Sequence, residues 1–348
     1  MNWKINNWKE KAIYGASVIL SKLINGKRNI NAFTPKKIVC IKLDEIGDLC
    51  YCLHVFDLLK QAYPNAQITV LCKPFAVNLL ANNPNIHLAT SLWSDITDNY
   101  DTIIDLRGNW KSIFHAILNM PKIRLDRGTI RLRNKKAGKH PHEVITNLQI
   151  ISPLLKEIPE QLLPKIYIAN ETNNKVIDYL KNEYIQKFVV FHTGARKKLR
   201  QWSQQNFAQL AIYLKNNFDF EILFVGDSSD VEYINEIQQL INFKTHNTAG
   251  LFNLVELASL IKKSELYVGN ESGPLCIAAI SGAKTLGLFG PGEPNVFYPY
   301  GTHTAYIHHV LSCNPCDQIK CVNPTNTCMQ MITQNEVIIA CNKLLSLG

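Results

Sequence analysis

Residues 265–291 read ELYVGNESGPLCIAAISGAKTLGLFGP. Glu265–Gly269 is a short apolar strand. Gly273–Ser281 is a helix opened by Gly273 and Pro274, and proline suits a first turn because its missing N–H costs no bond there. Thr285–Phe289 is a second apolar strand. Two apolar strands joined by a helix predict a parallel βαβ unit.

The same alternation extends towards the N-terminus. Helices are expected at Leu254–Lys263, Asp230–Ile241 and Ser203–Asn216, the last with Ser203 as N-cap. Strands are expected at Glu221–Val225, which ends in Gly226-Asp227, and at Phe188–His192. Pro153, Pro159 and Pro164 mark a border. Before it, strands Lys37–Leu43, Gln67–Cys72 and Tyr100–Leu106 alternate with helices over Asp48–Tyr63, Pro74–Ala81 and Pro141–Leu155. Residues 121–142 read as loop, crowded with Lys122, Arg124, Arg127, Arg131, Arg133, Lys135, Lys136 and Lys139. The pattern gives two Rossmann-like α/β domains, 36–165 and 166–348, behind a segment 1–35. Such sheets bind ligands at the carboxyl ends of their strands.

Composition agrees with a folded α/β protein. The 348 residues are 46% hydrophobic and 19% charged, which excludes disorder and a coiled-coil rod. Lys and Arg number 37 against 28 acids, a net charge of +9 that suits an anionic substrate or membrane surface. Nucleic acid is not expected as a partner. No apolar run approaches the ~20 residues that span a bilayer, and no signal peptide is evident, so a cytoplasmic location is expected. Residues 1–30 read as an amphipathic helix with the stripe Trp8, Ala12, Ala16, Ile19 and Leu23. Lys4, Lys9, Lys11, Lys22, Lys27 and Arg28 stand against one acid, Glu10. Such a helix either packs on the body or makes weak peripheral contact with the inner membrane.

Three strand-end turns carry the chemistry. Asp44-Glu45-Ile46-Gly47-Asp48 follows the first strand, with Gly47 permitting a tight turn. Asp48 is there either a helix cap or a general base. Thr193-Gly194-Ala195-Arg196-Lys197-Lys198-Leu199-Arg200-Gln201-Trp202 places a glycine and four cations before a helix, which suits a diphosphate. Gly269-Asn270-Glu271-Ser272-Gly273-Pro274 presents helix N–H groups to a phosphate, with Glu271 placed for ribose hydroxyls. None of these is GxGxxG or a P-loop, which counts against hydride transfer and ATP hydrolysis. Cys313-x-x-Cys316-x4-Cys321-x6-Cys328 has a spacing at which thiolates hold structural zinc or iron, or remain reduced.

Together these motifs resemble glycosyltransferase family 9, the bacterial lipopolysaccharide heptosyltransferases, over about residues 36–335. The turn at Asp44–Asp48, the phosphate loop from His192 to Trp202, Gly226-Asp227 with Asp230, and Val268–Pro274 followed by Leu288-Phe289-Gly290-Pro291 carry the likeness. The resemblance implies a GT-B fold, two Rossmann-like domains with a cleft between them. It implies inverting, metal-independent transfer of heptose from ADP-heptose, with no cofactor and with Asp48 as base. The implied donor-binding residues are Thr193, Gly194, Lys198, Arg200, Asp230, Glu271, Ser272, Gly273 and Pro274. Asp44, Gly47, Arg107 and Lys111 are implied to meet an anionic glycan or glycolipid acceptor. The chain departs from the family where Arg200 replaces a lysine, Glu271 an aspartate and Cys276 a histidine. Transfer of another nucleotide sugar, or transfer to protein, stays open. So do a GT-B epimerase, which would want further cleft carboxylates and histidines, and a non-catalytic nucleotide-sugar module. Some protein-heptosylating relatives hold iron at similar cysteines.

Overall fold

The structure, a computed structural model, describes residues 8–96, 100–314, 316 and 318–347. The chain divides into two compact units, Met1–Tyr167 and Ile168–Gly348.

In the first unit the strands are β1 (Lys37–Lys42), β2 (Gln67–Cys72), β3 (Leu88–Thr90), β4 (Thr102–Asp105) and β5 (Ile123–Asp126). The helices are α1 (Trp8–Asn25), α2 (Ile46–Cys50), α3 (Leu53–Ala62), α4 (Pro74–Leu80), α5 (Trp110–Asn119), α6 (Arg127–Lys136) and α7 (Glu143–Ile151). Among the described residues the strands form one parallel sheet in the order β3-β2-β1-β4-β5. β1 lies centrally and is buried from Ile38 to Lys42, which explains its unbroken apolar run. The order reverses between β1 and β4.

Two sequence expectations are corrected here. The single helix over Asp48–Tyr63 is two, because the Tyr51 carbonyl accepts from the Asn147 side chain at 3.0 Å instead of continuing one ladder. Residues 121–142 are largely regular: β5 leads into α6 through Asp126, whose side chain accepts from Thr129 N at 2.8 Å.

The N-terminal helix also differs from expectation in which side it packs. α1 rests on β5, α6 and α5 and buries Tyr14, Ser17, Ser21 and Ile24. The stripe read from sequence points largely outward, with Ile19 62% and Leu23 74% exposed. The side chain of Trp8 lies outside the described residues. What fixes α1 is Arg124, which is fully buried. Its guanidinium donates to the Ser17 carbonyl, Ser17 Oγ and Ser21 Oγ at 3.1, 3.1 and 2.6 Å. It also pairs with Asp105 at 3.0 Å and Asp126 at 3.3 Å.

The second unit runs α8 (Asn170–Asn182), β6 (Phe188–His192), α9 (Gln204–Phe218), β7 (Glu221–Val225), α10 (Val231–Gln238), β8 (His246–Asn247) and α11 (Leu254–Lys262). It continues with β9 (Leu266–Asn270), α12 (Gly273–Ser281), β10 (Thr285–Phe289), α13 (Pro294–Phe297), β11 (Thr304–His308) and α14 (Gln334–Leu345). Its described strands form a parallel sheet in the order β11-β10-β9-β6-β7-β8, which reverses between β6 and β9. Both units are therefore Rossmann-like. Ser203 caps α9 as expected, accepting from Asn206 N. Trp202 is fully buried and donates to the Ile332 carbonyl at 2.8 Å, so it anchors the loop between β6 and α9 to the core.

The Arg124 node yields a test. Arg124→Ala leaves Asp105 and Asp126 buried without their cation and should cost about 3–5 kcal/mol, the range for breaking a buried pair. Urea unfolding measures it, and a loss below about 1 kcal/mol would show that α1 is held otherwise.

Candidate functional site

The first candidate site lies at the carboxyl ends of β1 and β4, where ligands bind such sheets. β1 ends in Lys42, a charged side chain with no exposure that therefore needs partners. Its Nζ pairs with Asp44 at 2.9 Å and lies 3.9 Å from Glu143. Arg107 reaches Asp44 from the β4 end at 2.9 Å, and Arg127 lies 3.5 Å from it. Burial opposes ionisation of Asp44, but Lys42, Arg127 and Arg107 outweigh it and hold the carboxyl at about 2.

Asp48 sits in the first turn of α2, with Glu45 at the cap position. It is not the N-cap. Its side chain keeps 24% exposure, and its cationic neighbour Arg127 stands 3.7 Å away. Burial raises its pKa, and the charges of Asp44 and Glu143 add to that. Lys42 and Arg127 oppose it. One carboxylate of the group is thus held ionised and its neighbour is made more basic, the division used wherever a base is needed beside a fixed anion.

Sequence reasoning missed Glu143 and misread Arg127. Both are buried, and Arg127 bonds Glu143 at 2.7 Å while Arg131 reaches its other oxygen at 3.1 Å. Of the basic 122–139 segment, then, Arg124 and Arg127 are internal and Arg131 is largely so. Arg133, Lys135, Lys136 and Lys139 are exposed. The signal that could have found the cluster is Lys42, a cation ending an apolar strand.

Arg107 and Lys111 are exposed on either side of the start of α5. Their turn is built by Asp105, whose carboxylate accepts from Gly108 N at 2.7 Å and from Ser112 Oγ at 2.5 Å. Gly108 there has φ of +74°, a conformation that favours glycine. Gly47 lies within α2 beside Asp48.

The second candidate site lies at the ends of β6 and β9. Asn270 joins them: its side chain donates to the Thr193 carbonyl at 2.8 Å and accepts from Trp202 N at 3.0 Å. A Cβ on Gly194 would stand 2.7 Å from the Asp230 carboxylate, so this turn requires glycine. Thr193 is buried, and its Oγ1 has no partner. α12 begins after Ser272, whose side chain makes no cap bond to the helix. Ser272 Oγ instead lies 3.2 Å from His192 Nδ1. The N-terminal N–H groups of α12, opened by Gly273 and Pro274, are left for an anion. Burial lowers His192 to about 4, with Asp227 opposing, so its imidazole is neutral at pH 7.

Arg200 and Glu271 were expected to serve phosphate and ribose separately. They meet each other, Nη1 to Oε1 at 3.1 Å, while Arg200 Nε donates to Gln318 at 2.6 Å. Glu271 Oε2 is buried without a partner. Lys198 is exposed two residues before Arg200, in the same short 3-10 turn.

Cys313, Cys316 and Cys321 are half-buried, Cys328 is buried, and all four are free thiols. Burial raises the Cys328 pKa, and Cys316 and Cys313 add to that. Among the described residues no three His, Cys, Asp or Glu side chains come together as metal ligands.

The low pKa of Asp44 has a consequence for stability. A carboxyl lowered from 3.8 to about 2 stabilises the fold above pH 4, and that contribution vanishes as pH falls towards 2. Asp44→Asn should therefore lose about 2 kcal/mol at pH 7 and match the parent near pH 2. Equal losses at both pH values in denaturant titrations would show that packing, and not charge, is responsible.

Residues 89–326 match the sequence profile of glycosyltransferase family 9 (heptosyltransferase). The lipopolysaccharide core heptosyltransferase OpsX of Haemophilus influenzae is 22% identical over 293 residues, 76% of this chain and 82% of the relative. A family 9 glycosyl transferase of Veillonella parvula superposes with a TM-score of 0.76 at 19% identity, over 92% of this chain and 99% of that one. E. coli ADP-heptose lps heptosyltransferase II gives a TM-score of 0.72 at 21% identity, over 89% and 98%. The fold is that of these GT-B structures, and the match over most of the chain settles its kinship: the protein belongs to glycosyltransferase family 9.

Proposed function

We propose that the protein transfers heptose from ADP-heptose to a hydroxyl of the lipopolysaccharide core or a related anionic glycan, with inversion at the anomeric carbon. The single observation that carries the mechanism is Asp48, partly exposed at the β1 end and raised in pKa beside an Asp44 that stays ionised. The donor assignment is supported by kinship with a heptosyltransferase named for ADP-heptose.

In this reading the Asp48 carboxylate takes the proton of the acceptor hydroxyl. The freed oxygen forms a bond to the anomeric carbon as the bond from that carbon to the β-phosphate oxygen breaks. ADP leaves with the electron pair from the opposite face, which inverts the centre. Arg200, Lys198 and the N–H groups opening α12 meet the charge that develops on the diphosphate. Thr193, Gly194 and Asp230 shape the wall of that pocket, and Glu271 and Ser272 hold Arg200 and His192. Arg107 and Lys111 face anionic groups of the acceptor, and Asp44 and Gly47 fix the turn that presents Asp48. These cations do the work a divalent metal does in other transferases, so metal-independent transfer is the expectation. The enzyme would act in the cytoplasm, at the inner face of the membrane that carries a lipid-linked acceptor. Among the described residues no helix is long and apolar enough to cross a membrane.

Asp48→Asn keeps the shape and removes the base. It should lower turnover by about 10²–10⁴-fold, with ADP affinity unchanged. Turnover of the parent should fall as pH drops through a carboxylate pKa above the usual range, because the base must be ionised. Arg200→Ala should weaken ADP binding by about 1.5–3 kcal/mol in calorimetry, and EDTA should leave transfer intact. Near-parental turnover in Asp48→Asn would remove the base assignment, and a strict Mg²⁺ requirement would remove the charge role given to the cations.

A further inference from the structure

The charge of this chain is concentrated in one place. Residues 107–142 hold ten Lys or Arg and a single acid, Asp126, a balance of +9 that equals that of the whole chain. Residues 11–29 add four cations and no acid. Asp126 is buried on Arg124 and Thr129, Arg124 and Arg127 are buried as well, and Arg107 and Arg131 pair with Asp44 and Glu143, so the surface charge rests on Lys111, Lys122, Arg133, Lys135, Lys136 and Lys139. These segments form α5, α6 and α1, and α1 packs against both of the others.

Within that basic layer stands an apolar ridge. On α5, Trp110 is 53%, Phe114 62%, Ile117 47% and Leu118 67% exposed. Positions 110, 114, 117 and 118 recur at three- and four-residue spacing, so they share one helix face. On α1, Ile19 and Leu23 are turned outward while Ser17 and Ser21 are turned in towards Arg124. Two serines thus help seat α1 beside Tyr14 and Ile24, while two aliphatic side chains of the same helix are left to solvent. The ridge is flanked by Lys22 on α1 and Lys111 on α5, and Arg133, Lys135 and Lys136 lie exposed on α6.

We propose that the α1–α5 ridge is a membrane-docking surface that seats the first unit on an anionic bilayer, its side chains entering the headgroup boundary and the surrounding cations meeting lipid phosphates. Charge complementarity selects this occupant. A second copy of the chain would bring the same cations against themselves. Nucleic acid would use the cations and leave the ridge without a role. The purpose rests on the reading that the acceptor is lipid-linked, because Arg107 and Lys111 open the same helix that carries the ridge. The surface itself does not depend on that reading.

The test is co-sedimentation of the full chain with vesicles of phosphatidylcholine containing about 30 mol % phosphatidylglycerol, beside pure phosphatidylcholine vesicles. Binding to the anionic vesicles alone, weakened by about 0.5 M salt, is expected. Phe114→Ser with Leu118→Ser should reduce the partition coefficient about tenfold or more while melting temperature and ADP affinity stay at parental values. Lys135→Glu with Lys136→Glu should reduce it as well. Parental partitioning by the serine variant overturns the proposal. So does a parental dimer in light scattering that the serine variant dissociates, and so does retention on duplex DNA at the vesicle affinity. Activity on a soluble core fragment, unchanged in the serine variant, separates loss of docking from failure of the functional reading.

Discussion

Arg127 is buried between three carboxylates, Glu143 at 2.7 Å, Asp44 at 3.5 Å and Asp48 at 3.7 Å. A guanidinium without partners at such a place would cost several kcal/mol, so the end of β1 and the starts of α2, α6 and α7 must converge on it. The cations are unevenly shared. Glu143 takes Arg127 and Arg131, and Asp44 takes Lys42 and Arg107, both at short range. Asp48 is left with a single cation at 3.7 Å and with partial exposure. The same network that stabilises the unit therefore leaves one carboxylate more basic than its neighbours, and it is the one solvent can reach.

The second unit solves a different problem. Its candidate site has no comparable buried ion cluster among the described residues. It is built from close backbone approach, with Asp230 against Gly194 and Gly226 and with Asn270 tying the ends of β6 and β9 together. That construction keeps N–H groups and cations at a strand edge, an arrangement that suits an anion. Under the proposed function, the first unit supplies the proton acceptor and the second meets the departing diphosphate.

Much of this was legible in the sequence where local pattern and burial agree. The 265–291 unit folds as read, with α12 and β10 at their expected bounds, because its strands are apolar throughout and its helix has a Gly-Pro start. Legibility failed where burial is charged. Residues 121–142 looked like solvated loop because Arg124 and Arg127 are indistinguishable, by type, from surface arginines. Only Asp105, Asp126 and Glu143, distant in sequence, show them to be internal. The stripe on α1 misled for the same reason: Ser17 and Ser21 are buried because Arg124 needs acceptors there, which no periodicity reveals. Asp48 was found by its turn, but its raised pKa comes first from burial, with Asp44 and the distant Glu143 adding to it, and burial of this kind is not written in the local sequence.

The most direct measurement is release of ADP from ADP-heptose, with and without lipopolysaccharide-core acceptor, beside UDP- and GDP-linked sugars as rival donors. The account predicts ADP release from ADP-heptose that rises strongly on adding acceptor, with heptose appearing in the acceptor. Binding of ADP-heptose without release, or faster turnover of a different nucleotide sugar, would contradict it.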